Sequence, residues 1–144
     1  MKSKPILMWA MVAISLSFLA CSPAIKQASV EIPCNDFYEQ PHISQEVEVA
    51  VGDSFTVTLC SNPTTGFMWS ESAQISDQTV LQQTDHKFEA PKTTEPPIEG
   101  AAGKEVWTFQ ALKKGETTVS MKYSRPWEGG EKGNWTFNLT VVVK

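Results

Sequence analysis

The sequence predicts an all-β protein, an immunoglobulin-like β-sandwich of about seven to eight strands. From residue 47 onward, apolar and polar residues alternate in short runs, turn-forming residues separate these runs, and no amphipathic helical pattern interrupts them. Alternation with a period of two is typical of strands that bury one face, and several such strands indicate a sandwich or barrel. A chain of 144 residues is long enough for one packed domain.

The predicted strands share an apolar residue at every second position, and turns containing Gly or Pro lie between them. The clearest are "VEVAV" (47–51), "FTVTL" (55–59), "EVWTFQAL" (105–112), "TTVSMKY" (117–123) and "WTFNLTVVV" (135–143). Residues 71–88 are ambiguous, because Ile75, Val80 and Leu81 fit either a short strand or a turn of helix. Residues 90–104 contain three prolines and two glycines, which predicts a long loop.

The first 20 residues have the pattern of a lipoprotein-type signal peptide. Lys2 and Lys4 precede an apolar run that is too short to span a bilayer, and "LSFLAC" ends this run with Ala20 directly before Cys21. We therefore predict that Cys21 carries a lipid and that the protein is exported and anchored in a bacterial cell envelope, at the outer membrane or in the periplasm. The alternative is a secreted protein cleaved near Ala20, without a lipid. The lipid would be its only association with a membrane.

Residues 21–46 contain few periodic features and are predicted to be a tether and an irregular lead-in to a domain that spans residues 47–144. If Cys21 is lipidated, Cys34 and Cys60 remain, and they could form a disulfide in an oxidising compartment. This bridge would connect the lead-in to the strand "FTVTL".

The charge and the reactive residues exclude several functions. Without Lys2 and Lys4, ten basic side chains face 16 acidic ones, a net charge of −6 that disfavours nucleic acid as a partner. The chain has two histidines, His42 and His86, and a nucleophilic pair with either would need a reduced cysteine outside the cytoplasm. No metal-binding motif is present. We therefore expect neither an enzyme nor a bound metal or cofactor.

Three loops carry the unusual residues of the chain. They are "NPTTGF" (62–67), a segment around "GAAG" (100–103) and "SRPWEGG" (124–130). If "FTVTL" is the second strand and "VSMKY" the sixth, these loops follow the second, fourth and sixth strands. In an immunoglobulin-like topology such loops project from one end of the sandwich.

These three segments resemble the chagasin family of cysteine-protease inhibitors. The family pattern is Asn-Pro-Thr-Thr-Gly with a following aromatic residue, then a Gly-x-Gly-Gly type of loop, then Arg-Pro-Trp. The first and third motifs are complete in this chain, at 62–67 and 125–127, and Trp69 fits the usual continuation of the first. In the middle motif, Ala102 stands where the family often has glycine, and alanine resists positive φ.

The resemblance implies a reversible, tight-binding inhibitor of papain-like cysteine proteases, whose three loops occlude the active-site cleft. We also expect the protein to be a monomer. The small threonines and the stiff proline of the first motif would let its backbone approach the catalytic cysteine in a pose that is not cleaved. Phe67 and Trp69 could contact the protease or pack in the core. The residues assigned to protease binding are Asn62, Pro63, Thr64, Thr65, Gly66, Phe67, Gly100, Ala101, Ala102, Gly103, Arg125, Pro126 and Trp127.

Two other functions remain open on the sequence alone. A cell-envelope module that binds carbohydrate or an envelope partner would use Trp127 and a second exposed tryptophan as a flat platform. A structural envelope lipoprotein would have no specific target for its loops.

Overall fold

The structure is a computed structural model, and it describes residues 28–92, 96 and 98–144. The predicted signal peptide, the predicted lipidation site Cys21 and the start of the predicted tether lie outside the described residues. Within the described ranges, no helix is both long and apolar enough to cross a bilayer.

The described residues form two packed β-sheets with nine strands and one short helix. One sheet has the strand order β1-β3-β7-β6, and the other has the order β2-β9-β8-β4 with β5 paired to β8. This arrangement confirms the predicted all-β sandwich. The elements are β1 (Ser29–Ile32), α1 (Cys34–Glu39), β2 (His42–Val49), β3 (Ser54–Ser61), β4 (Met68–Trp69), β5 (Gln74–Ile75), β6 (Leu81–Glu89), β7 (Gly103–Ala111), β8 (Gly115–Ser124) and β9 (Trp135–Val143).

The core lies between the two sheets and is built from the alternating residues of the long strands. The side chains that are 0% exposed include Phe55, Trp107, Phe109, Phe137 and Leu139. Burial of each large apolar side chain contributes about 1.5–3 kcal/mol. The alternating apolar residues that predicted the strands therefore also make the main stabilising contacts of the core.

The structure corrects the predicted irregular lead-in before residue 47. Strand β1 pairs in parallel with β3, helix α1 follows Pro33, and β2 begins at His42 and pairs in parallel with β9 along its whole length. An edge strand can be held by backbone hydrogen bonds while many of its side chains face solvent, so its alternation is weak. A helix of six residues is too short to show a period. The ambiguous stretch 71–88 contains two strands, β5 and most of β6.

A disulfide connects the amino-terminal elements to β3. It joins Cys34, at the start of α1, to Cys60, near the end of β3, across a separation of 26 residues. A closed loop of this length lowers the entropy of the unfolded chain by an amount worth about 3.5 kcal/mol.

The strand registers bring the three predicted loops to one end of the sandwich. Ser61 at the end of β3 pairs with Gly103 at the start of β7, and Met68 in β4 pairs with Ser124 at the end of β8. The loops follow the third, sixth and eighth strands rather than the second, fourth and sixth, because β1 and β5 add to the count. Their position at a common end is as expected from the topology.

Candidate functional site

The first loop (residues 62–67) is ordered by hydrogen bonds within itself. Pro63–Thr65 form a 3-10 turn that Gly66 ends, and the amide of Gly66 donates to the carbonyl of Pro63 (2.9 Å). The Asn62 side-chain oxygen accepts from the amide (3.3 Å) and the hydroxyl (2.6 Å) of Thr64. The Asn62 carbonyl accepts from the amide (3.1 Å) and the hydroxyl (2.7 Å) of Thr65. The turn therefore has its shape before any partner is present.

The base of the first loop rests on aromatic side chains. The amide of Asn62 donates to the hydroxyl of Tyr123 (2.9 Å), and the ring of Phe67 stacks on the Tyr123 ring at 5.4 Å. On the other side of the loop, Trp69 Nε1 donates to the Cys60 carbonyl (2.9 Å). Phe67 and Trp69 are both buried. Phe67, which was assigned to protease binding, is therefore a support for the loop and offers little surface of its own.

The second loop (residues 98–102) is joined to the first by one hydrogen bond. The Asn62 side-chain amide donates to the Gly100 carbonyl at 2.8 Å. Gly100 has a φ of 74°, whereas no described residue other than glycine has a positive φ, and the side chain of Ala102 packs against the core. The alanine in place of the family's glycine is thus compatible with this loop. Gly103 is buried at the start of β7, where an added Cβ would lie 2.4 Å from the Glu89 carbonyl, so this predicted binding residue has a packing role.

The third loop (residues 125–134) is joined to the first through Arg125. Its guanidinium donates to the Thr65 carbonyl (3.2 Å) and lies 4.5 Å above the centre of the Phe67 ring. The ammonium of Lys132 donates to the carbonyls of Arg125 (2.6 Å) and Trp127 (2.8 Å). Arg125, which was assigned to protease binding, therefore also connects the third loop to the first.

Trp127 reaches from the third loop to the first while keeping an exposed ring. It is 52% exposed, and the tip of its ring lies where a side chain on Gly66 would begin, 2.5 Å from a Cβ built there. Gly66 also has a φ of 79°. Glycine is therefore required at this position by the backbone conformation and by the contact with Trp127.

The surface formed by these loops is equipped for binding rather than for chemistry. Pro63, Thr64, Thr65 and Trp127 are exposed on it, and none of them can act as an acid or base near neutral pH. Within the described ranges, no group of His, Cys, Asp or Glu side chains could hold a metal ion. Both cysteines in these ranges are in the disulfide.

A chain of polar side chains lies beneath this surface and was missed by the sequence analysis. The Ser61 hydroxyl donates to Glu105 (2.6 Å), whose other oxygen lies 2.8 Å from His86 Nε2, and the His86 ring stacks on Trp107 at 4.8 Å. Ser61 is 0% exposed, so its hydroxyl cannot reach a substrate. The alternation of β7 could have indicated that Glu105 is buried, because this residue shares a strand face with Trp107 and Phe109.

A β-sandwich whose first loop is hydrogen-bonded to two further loops at the same end is typical of proteins that bind a partner through that end. The protein-family model described as "Chagasin family peptidase inhibitor I42" matches residues 48–141 of this chain. This chain therefore belongs to the chagasin family of peptidase inhibitors, and it is not an enzyme.

Individual proteins agree with this assignment. Chagasin of Trypanosoma cruzi is 31% identical over 105 residues, which cover 72% of this chain and 91% of chagasin. The crystal structure of the cysteine protease inhibitor EhICP2 from Entamoeba histolytica has a TM-score of 0.59 at 21% identity and covers 72% of this chain and 94% of EhICP2. PbICP-C, solved in complex with falcipain-2, has a TM-score of 0.61 at 15% identity, over 81% of this chain and 98% of PbICP-C. The two structures show a shared fold.

Replacement of Gly66 by alanine tests the contact between the first and third loops. We expect Gly66→Ala to lower the free energy of unfolding by about 2 kcal/mol, through backbone strain and displacement of the Trp127 ring. The measurements are thermal unfolding and the NMR resonance of the Trp127 indole N–H. Gly52→Ala is a matched control, because Gly52 also has a positive φ (87°) but has no atom near its Cβ position. Equal destabilisation by both variants, with the Trp127 resonance unmoved, would contradict the contact.

The titration of Tyr123 tests the base of the first loop. Burial raises the pKa of Tyr123 above its ordinary value of about 10, although the hydrogen bond from the Asn62 amide opposes this effect. Tyr123 is the only tyrosine left in a Tyr38→Phe variant, so absorbance near 295 nm follows its ionisation alone.

We expect the midpoint of this titration to lie above pH 10 in the folded protein and to return to about 10 in denaturant. Because the pKa of Tyr123 is raised in the folded state, its protonated form contributes to the free energy of unfolding. This contribution is complete below pH 10 and is lost as the pH rises through the folded pKa. A folded midpoint at or below that of the denatured chain would show that Tyr123 is not buried as described.

Proposed function

We propose that this protein is a reversible, tight-binding inhibitor of papain-like cysteine proteases, and that its three loops together occlude the active-site cleft. The observation that carries the proposal is the bonding between the loops. Asn62 joins the first loop to the second, and Arg125 joins the third to the first. The loops therefore form one surface, here called the three-loop surface. Membership in the chagasin family supports a peptidase as the partner.

The tip of the first loop is suited to approach a catalytic cysteine without being cleaved. A protease binds the scissile peptide in an extended conformation, whereas Pro63–Thr65 are held in a 3-10 turn by hydrogen bonds within the loop. Pro63 has no amide hydrogen to donate to the enzyme. Since the turn is ordered beforehand, little conformational entropy is lost on binding, which favours high affinity.

The two flanking loops extend the contact along the cleft. Trp127 offers an exposed aromatic ring on one side, and tryptophan is enriched among residues that dominate binding energy. On the other side, Ile98 in the second loop is 69% exposed and offers an apolar side chain. Inhibitor interfaces of standard size bury about 800 Å² on each partner, and three adjoining loops can supply such an area.

The carbohydrate-binding alternative loses its main support. That function would need two exposed tryptophans in one plane. Of the tryptophans in the described ranges, Trp127 is exposed, Trp135 is partly buried, and Trp69 and Trp107 are buried. We therefore retain protease inhibition as the proposed function.

Inhibition is tested by titrating soluble residues 22–144 into a fixed concentration of papain and following the hydrolysis of a fluorogenic peptide. We expect activity to be lost at one inhibitor per enzyme, with the inhibitor recovered uncleaved. Thr64→Phe/Thr65→Phe should weaken inhibition by about 100-fold, equal to about 2.7 kcal/mol, because the larger side chains keep the backbone away from the catalytic cysteine.

The control is Thr84→Phe, since Thr84 is an exposed threonine in β6, away from the three-loop surface. The proposal fails if wild-type protein leaves several papain-like proteases active at micromolar concentration. The role of the first loop fails if the double variant inhibits as well as Thr84→Phe.

We further propose that the protein acts outside the cytoplasm as a monomer, anchored by a lipid on Cys21. Expression of the full chain in a Gram-negative bacterium should place it in the membrane fraction, with an intact mass that shows cleavage before Cys21 and added acyl chains. Cys21→Ala should abolish both results, whereas Ser22→Ala should not. A soluble, unacylated wild-type product cleaved near Ala20 would favour simple secretion.

A further inference from the structure

The amino-terminal segment (residues 28–40) precedes the residues that match the chagasin family, 48–141. It contains β1 and α1, although the sequence pattern predicted an irregular lead-in here. The segment lies beneath the three-loop surface, and it contacts the chain on both sides of the first loop.

The amino-terminal segment is bonded covalently to the chain that leads into the first loop. Cys34 is bonded to Cys60, which is two residues before Asn62. Strand β1 pairs in parallel with β3 up to the pair Ile32 and Leu59, so the backbone next to Cys60 is also held by the segment. The chain that enters the first loop is therefore attached to the segment by a disulfide and by strand pairing.

On the other side of the first loop, the amino-terminal segment makes aromatic contacts. Phe37 of α1 is 1% exposed, and its ring lies 5.5 Å from the Trp69 ring and 5.3 Å from the Tyr123 ring. Trp69 donates to the Cys60 carbonyl across the base of the loop, and Tyr123 accepts from the amide of Asn62. Phe37 thus packs against the two side chains that close the base of the first loop.

We propose that the amino-terminal segment is a positioning element for the first loop, with Cys34 and Phe37 as its positioning residues. The segment fixes both ends of the loop and so keeps the turn at Pro63–Thr65 ordered before a protease binds. Loss of the segment's contacts adds an ordering cost to binding and weakens inhibition. The effect on inhibition rests on the proposed function, whereas the effect on loop order does not.

The test must separate loop positioning from general stability, so three variants are compared. Cys34→Ala/Cys60→Ala removes the covalent contact, and Phe37→Leu removes the aromatic one. Phe109→Leu is the matched control: Phe109 is also a fully buried phenylalanine, but it pairs with Phe55 at the opposite end of the sandwich. Phe37→Leu also keeps the proposal testable if the double cysteine variant does not fold.

Three quantities are measured for each variant: the free energy of unfolding, hydrogen exchange at the amides of Asn62, Thr65 and Gly66, and the inhibition constant against papain. These amides are bonded to Tyr123, Asn62 and Pro63 respectively and report directly on the loop. We expect exchange about tenfold faster and inhibition about tenfold weaker in the two segment variants, from local opening of the loop. Phe109→Leu should lose stability without either change.

Two results would overturn the proposal. One is that Phe109→Leu alters loop exchange and inhibition as much as the segment variants do at equal loss of stability. The other is that the segment variants leave either the exchange or the inhibition at the wild-type value. If wild-type protein inhibits no papain-like protease, the proposed function fails, and the exchange measurements alone then decide whether the segment positions the loop.

Discussion

The first loop keeps its shape because Asn62 forms hydrogen bonds to four other residues. Its amide donates to Tyr123, its carbonyl and side-chain oxygen hold the two threonines, and its side-chain amide donates to Gly100. These bonds satisfy the polar groups of a tight turn that would otherwise need water. An aspartate here could accept the same bonds but could not donate to Gly100, so asparagine satisfies a partner that aspartate would leave unpaired.

Beneath this turn lie an apolar cluster and the buried carboxyl group of Glu105. Glu105 is 5% exposed, and it is stabilised by the hydroxyl of Ser61 and the ring of His86. Burial of a charged or polar group without such partners is costly, so each member of this chain depends on the others. Because Ser61 directly precedes Asn62, the polar chain fixes the last residue of β3 before the loop begins.

Much of this architecture could be predicted from the sequence, and the parts that could not have physical explanations. The alternation in "FTVTL" and "WTFNLTVVV" follows from burial of one strand face, and the three motifs indicated which loops matter. Strands β1 and β2 were missed or begun too late because pairing at a sheet edge depends on backbone groups common to all residues. The inward position of Phe67 and the bracing role of Arg125 depend on contacts between distant loops, which no local pattern records.

The contact of Trp127 with Gly66 has a consequence for selectivity. Because the tryptophan ring rests on the backbone of the turn, the distance between the flank and the tip of the binding surface cannot change without breaking that contact. If the three-loop surface occludes a protease cleft as proposed, enzymes would be distinguished by the width and depth of their clefts more than by the amino-acid preferences of their substrate pockets. Peptidases that cleave different sequences would then be inhibited alike, provided that their clefts have the same dimensions.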